Sequence, residues 1–303
     1  MLKDMNTSSA TGMLKETKPG STQPIRHFPL YGLIALAVCL SAWTCSWLRI
    51  EPFYRYSFFP LWAGFIFFMD ALVVQRHGSS LLQRMGWRSI LLFAISSVFW
   101  WIFEGLNVPV QNWHYILDHP YSPSTYFLLS SLNFSTVLPA VMEIAEFLST
   151  FKPLHPRLPA DNPGPRLPLS ILIPIEILGL LCFVLPWIFP RYCFGLVWLS
   201  VVLILDPINN FAGRKSAIAH MAVGDWHFFV LPLAGLCCGF LWEMWNFYAL
   251  PKWYYTIPYV GFWKIFEMPI LGYLGYLPFA LELFALYQFL LLLIRQKKDY
   301  LAI

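Results

Sequence analysis

Apolar residues in this chain run unbroken for about 18 to 25 positions at a time, and polar residues gather in the short stretches between the runs. The runs predict eight helices, near residues 28–48, 57–75, 89–109, 125–150, 168–190, 193–210, 227–249 and 266–294. At about 1.5 Å of rise per residue, each is long enough to cross the roughly 30 Å hydrocarbon layer of a bilayer. Residues 1–27 are polar and rich in Lys, Ser and Thr, which predicts a disordered tail. It is expected to be retained, because the next apolar run is too long for a signal-peptide core and lacks a small-residue cleavage site. Residues 152–167 are rich in proline and cannot continue a helix, so they read as an extended linker. Residues 296–303 are expected to form a short cytoplasmic C-terminal tail.

Composition strengthens this picture. The 303 residues are 58% hydrophobic and 12% charged, with a mean hydropathy of +0.59, which a water-facing domain does not carry. The fold class expected is an all-α polytopic membrane protein. Its six cysteines lie in or beside apolar runs without the spacing of a zinc or redox site, and read as small packing residues.

The pattern repeats. Glu104, Asn107, Pro139 and Glu143 each stand 139 positions before Glu243, Asn246, Pro278 and Glu282. Trp62 and Asp70 match Trp198 and Asp206, and Trp113 and Tyr115 match Trp253 and Tyr255. The expected organisation is two four-helix repeats, residues 28–151 and 168–295. Four helices per unit make both units enter the membrane from the same side, so the repeats should be parallel, about an axis along the membrane normal.

Charge sets the expected orientation. With the N-terminus inside, fifteen of the twenty Lys and Arg residues fall on the cytoplasmic side, leaving Arg49, Arg55, Arg191, Lys252 and Lys264 outside. Both termini are then cytoplasmic, in a cell (inner) membrane. Trp113, Tyr115, Tyr121, Trp253, Tyr254 and Tyr255 are expected on outer loops, as interface aromatics. The formal charge of +4 is scattered over the loops, which argues against a nucleic-acid partner.

Nine of the sixteen acids fall inside the expected helices: Asp70, Glu104, Glu143, Glu146, Glu176, Asp206, Glu243, Glu267 and Glu282. No Lys or Arg lies within those runs. A carboxylate in the bilayer core without a cation stays protonated, finds donors on neighbouring helices, or holds something positive. Glu104 and Asn107, like Glu243 and Asn246, share a helix face, so the amide is expected to donate to the acid. Trp100, Trp101, Trp242 and Trp245 crowd the same turns, and indole faces beside an acid suit a cation or a positively charged intermediate. The prolines four residues before Glu143 and Glu282 are expected to bend their helices near the acid. Asp70 and Asp206 precede turns with basic residues, Gly and Ser. Those turns read either as a cradle for an anionic headgroup or as positive flanks paired with the acids.

The candidate catalytic residues are therefore Glu104, Glu143, Glu243 and Glu282. The candidate substrate-binding residues are Trp101, Asn107, Trp242, Trp245, Asn246, Asp70 and Asp206. No metal box, phosphate loop or nucleophile elbow is present in the sequence, and no cofactor is expected. In style, acids and aromatics on duplicated helices resemble membrane-embedded isoprenoid cyclases such as the lycopene cyclase domain. The short repeat and paired-Glu motif of that family do not align here, and no residue role is transferred from it. Three functions follow: acid–base chemistry on a lipid or isoprenoid within the bilayer, a proton- or cation-coupled carrier, or a non-catalytic assembly partner. One closed cavity with convergent acids favours the first, and a continuous polar path favours the second. The partner expected is a membrane lipid or a hydrophobic small molecule.

Overall fold

The computed structural model describes residues 27–154 and 162–303. The expected N-terminal tail, apart from His27, and residues 155–161 of the expected linker lie outside them. The elements run α1 Leu30–Trp47, α2 Phe58–His77, α3 Leu81–Met85, α4 Ser89–Val110, β1 Trp113–Ile116, α5 Pro123–Phe134 and α6 Val137–Ser149. They continue with α7 Leu169–Ile188, α8 Pro190–Cys193, α9 Val197–Phe211, α10 Ala217–Ala222, α11 Val230–Phe247, β2 Lys252–Tyr255, β3 Lys264–Ile265, β4 Met268–Pro269 and α12 Tyr276–Leu293. Among the described residues, eight helical stretches are long and apolar enough to cross a membrane, as the apolar runs predict.

The inner helices are α6, α11 and α12, with α6 against α11 in the middle of the bundle. Around them α2 packs on α6 and α9 on α12, while α1 covers α2 and α7 covers α9. Burial follows this order: the α11 and α12 spans are 61% buried and the α7 span 22%. Ile171, Ile173, Ile177 and Leu178 on α7 are exposed, a face suited to hydrocarbon rather than water. The close approach of α1 and α2 depends on Gly64, where a Cβ would come 2.7 Å from Ala35 O and Cys39 N.

Four sequence expectations change. The run at 125–150 is two helices, α5 and α6, and the Ser96 hydroxyl bridges the break by donating to Phe134 O (2.7 Å) and accepting from Leu138 N (3.0 Å). Pro139 and Pro278 consequently fall in the first turns of α6 and α12, where a missing N–H costs no intrahelical bond, and they start helices rather than bend them. Glu267, expected inside the last helix, lies in the turn of the β3–β4 hairpin and ion-pairs with Lys252. The apolar residues around it mimic a span, but Pro269 ends the hairpin and α12 begins only at Tyr276. Finally, Glu146 does have a cation. Leu81, Leu82 and Met85 bury one side of α3, and this carries Arg84 into an ion pair with Glu146.

The C-terminal residues fold back against the bundle. Asp299 accepts from Tyr287 Oη and Gln288 Nε2, each at 2.8 Å, and Arg84 Nε donates to Tyr300 O at 2.6 Å.

Candidate functional site

Helix α4 carries Glu104 and Asn107 one turn apart, and α11 carries Glu243 and Asn246 in the same way. Neither Asn donates to its Glu, contrary to the expectation from spacing. Asn107 Nδ2 donates to Trp113 O (2.8 Å), and its Oδ1 accepts from Asn112 N (2.8 Å) and Trp113 N (3.3 Å). Asn246 Nδ2 donates to Trp253 O (2.8 Å), and its Oδ1 accepts from Trp253 N (2.9 Å). Each amide thus grips the backbone just beyond its helix and turns the following strand back over the acid. The amide is held by backbone groups, so the acid needs other donors.

Those donors come largely from the two strands. β1 and β2 pair antiparallel, with Trp113 opposite Tyr255, His114 opposite Tyr254 and Tyr115 opposite Trp253. Strand alternation places Trp113, Tyr115, Trp253 and Tyr255 on one face, while His114 and Tyr254 stack on the other with ring centroids 5.2 Å apart. Glu104 Oε1 accepts from Tyr115 Oη (2.5 Å), Trp113 Nε1 (3.1 Å) and Trp100 Nε1 (2.9 Å). Glu243 Oε1 accepts from Tyr255 Oη (2.6 Å), Trp253 Nε1 (3.3 Å) and Tyr276 Oη (2.7 Å). All six donors are neutral. Glu243 is fully buried, and its second oxygen has no hydrogen-bond partner. Burial first, and then the adjacent carboxylates, raise the Tyr115 and Tyr255 hydroxyls well above the ordinary phenol range, so both remain protonated donors.

These rings wall a cavity of about 420 Å³, within the usual range for a small-molecule pocket. Trp62, Trp198, Trp242, Trp245 and Phe279 form its deeper wall, with Trp62 packed on Trp242 (5.2 Å) and edge-on to Trp245 (4.8 Å). Arg55 and Lys252 also line it, and each is already paired: Arg55 with Glu51 and Asp118, Lys252 with Glu267. Burial alone raises Asp118, but hydrogen bonds from Tyr121 and His119 outweigh it and hold that carboxyl below its ordinary value.

Of the residues expected to form a site, Trp242, Trp245 and Asn246 line the cavity, and Glu104 and Glu243 stand directly behind its aromatic wall. Asn107 acts on the β1 backbone. Trp101 points elsewhere, donating to Ser131 Oγ (2.9 Å) and stacking on Phe127. Its neighbour Trp100 takes the place expected for it, because one residue along a helix is a rotation of about 100°.

The remaining acids do not line the cavity. Glu282 accepts from Val201 N (3.1 Å), and Glu143 is buried beside Glu146, Asp70 and Arg84. Asp206 accepts from Ser216 Oγ, Ala217 N (3.0 Å) and Ile218 N (3.1 Å), so the chain's own carboxylate fills the amide cradle expected for an anionic headgroup. Asp70 accepts from Tyr31 Oη and lines a separate lateral crevice.

Sequence reasoning left out Tyr115, Trp113, Trp253, Tyr255 and Tyr276, placing the first four at the membrane interface. A Trp and a Tyr two positions apart, nine to twelve residues after each Glu, are the signal of a strand returning over the acid. Compared with protein-family models, curated proteins and solved structures, the chain matches none of them.

Proposed function

We propose that this protein is an integral membrane enzyme that carries out acid–base chemistry on a lipid or isoprenoid held in the aromatic cavity. The observation that carries this reading is the convergence of Glu104 and Glu243 on one cavity through hydroxyl and indole donors that line it. Tyr115, Tyr255 and Tyr276 connect the acids to whatever the cavity holds. On one side a protonated carboxyl turns its O–H to a tyrosine oxygen, that tyrosine's own O–H turns to the cavity, and a proton passes along the pair to a carbon–carbon double bond. The ring faces hold the cation so formed. A carboxylate on the other side accepts, again through a hydroxyl, a proton from an adjacent carbon, whose C–H electron pair becomes the new double bond. One proton enters and one leaves, so a double bond is moved or a ring closed without a cofactor.

The two-repeat organisation is part of this proposal. In its support, α1 contacts α2 as α7 contacts α9, α2 contacts α6 as α9 contacts α12, and the strand register pairs Trp113 with Tyr255 as it pairs Tyr115 with Trp253. A pseudo-twofold axis through the pairing of His114 with Tyr254 relates those pairs. The cytoplasmic placement of both termini, in a cell membrane, rests on the distribution of basic residues. The carrier reading has less support, because the cavity and the lateral crevice at Asp70 share no lining residue.

The test is mass spectrometry of lipid extracts from cells carrying the wild-type chain, the Glu243→Gln chain or neither. A species that depends on the wild-type chain and disappears with Glu243→Gln is the expected result. Identical lipid profiles in all three would end the enzyme reading.

A further inference from the structure

We infer that the aromatic cavity is a cage for a permanently positive centre carried on an otherwise apolar molecule, so that its ligands include onium amphiphiles with quaternary ammonium heads. This rests on the proposed reading of the cavity as the substrate site, and is independent of which reaction occurs there.

Three features of the wall lead to it. The first is ring density: Trp62, Trp242, Trp245 and Tyr276 all line the cavity, with Trp242 and Trp245 packed on Trp62 at centroid distances of 5.2 and 4.8 Å and Tyr276 beside Trp242 at 6.0 Å. Ring faces carry negative potential, and a set of them around one space attracts a cation while offering a neutral hydrocarbon only contact area.

The second is what stands behind the rings. Glu104 and Glu243 each receive three hydrogen bonds from neutral indole and phenol groups, and neither has a Lys or Arg among those donors. A hydrogen bond from a ring N–H or O–H to a carboxylate draws the proton away from the ring and leaves its face richer in electrons. Whichever acid is ionised thereby enriches the rings bonded to it, Tyr276 among those of Glu243, without touching the ligand, while Trp62, Trp242 and Trp245 contribute their faces alone.

The third is the charge balance of the lining. Arg55 and Lys252, which line it, face three acids, Glu51, Asp118 and Glu267, so they leave no surplus of positive charge to repel a cation. An anionic head would find no unpaired Lys or Arg among the described residues that line the cavity.

The experiment uses the full chain in zwitterionic lipid nanodiscs, with binding read from tryptophan fluorescence and corrected by titration of empty discs. The probes are dodecanoylcholine and 3,3-dimethylbutyl dodecanoate, which share a shape and differ by one positive charge. The choline ester is expected to bind at least about tenfold more tightly, the scale of one to two desolvated cation–π contacts. Trp242→Leu should remove most of that preference while leaving the neutral ester within about threefold. Glu243→Gln should reduce the preference several-fold, and Tyr276→Phe, which keeps the ring and cuts its link to the acid, should do the same in a fold closer to wild type. Equal affinity for both esters in the wild-type chain would overturn the proposal. So would a preference unchanged in both Trp242→Leu and Tyr276→Phe, which would place the charge outside the cage. A charge preference in a chain that alters no lipid in cells would keep the cage and discard the enzyme.

Discussion

The ring of Tyr276 occupies the space that a side chain at position 239 would fill, and its hydroxyl, 2.7 Å from Glu243, is the third donor to that acid. Gly239 stands four residues before Glu243. Four residues before Glu104 stands Trp100, which is itself the third donor to Glu104. The two acids therefore reach the same count by different routes, one from its own helix and one from the next helix across a glycine. Gly239→Ala should push the Tyr276 ring off Glu243, with a stability loss of about 1–3 kcal/mol from overpacking. Tyr276→Phe removes the hydrogen bond alone and should be milder in thermal unfolding while lowering activity. A Gly239→Ala chain as stable and active as wild type would show that the ring has room to move.

The acids themselves should not be equivalent. Glu243 is fully buried with one oxygen unmatched, whereas Glu104 is only partly buried. Glu243→Gln should lower conversion of the lipid substrate by about a hundredfold or more, the scale of a lost general acid. Glu104→Gln should cost less, and Glu282→Gln, whose carboxyl meets the backbone of α9 and not the cavity, should stay within about threefold of wild type. Activity at matched membrane abundance decides this. A silent Glu243→Gln alongside an inactive Glu282→Gln would move the chemistry to α12.

Asn107 and Asn246 should act through the strands. Each makes hydrogen bonds to backbone groups just beyond its helix, so alanine at either position should cost about 1–3 kcal/mol. The same change should loosen the tyrosine donors. Amide exchange measured by mass spectrometry should rise over 112–116 and 252–256 together, since those residues pair. Exchange that rises in one strand only would contradict the coupling.

Arg84, partly buried, and Glu146, fully buried, form an ion pair joining α3 to α6. Arg84→Met leaves Glu146 without its cation and should destabilise the fold by about 3–5 kcal/mol, while Arg84→Met with Glu146→Met should recover most of that loss. Equal melting temperatures for the single and double variants would mean that the pair is not coupled.

Orientation can be read with single cysteines in a chain whose own six are replaced. Trp87→Cys and Val223→Cys sit at exposed positions on one expected side, and Trp263→Cys on the other. An impermeant maleimide added to intact cells should label the Trp263→Cys chain and spare the other two. The reverse pattern would invert the topology.

The spans were legible because a run of apolar residues long enough to cross a bilayer leaves few alternatives to a helix. The expensive residues were legible for the same reason, and Glu104, Glu243 and their asparagines stood out as polar positions where hydrocarbon was expected. What those asparagines do was not legible. Spacing places Asn107 on the same helix face as Glu104, but its amide is taken by the backbone of Trp113, a contact made only once the chain turns. The donors were hidden in the same way: Trp113 and Tyr115 read as interface aromatics until β1 is seen to pair with β2, a contact between segments about 140 residues apart. Arg84 reads as a loop cation until α3 is seen to be buried.

The strand pair has one more consequence. Each acid draws two of its three donors from a strand whose pairing partner is the strand serving the other acid. A movement that parts α4 from α11 far enough to unzip that ribbon strips both carboxylates at once, and one that leaves it closed disturbs neither. The ribbon is a clasp between the parts of the chain before and after residue 154, which also meet where α6 packs on α11. A chain cut between them would regain either site only when both pieces are present to fasten it.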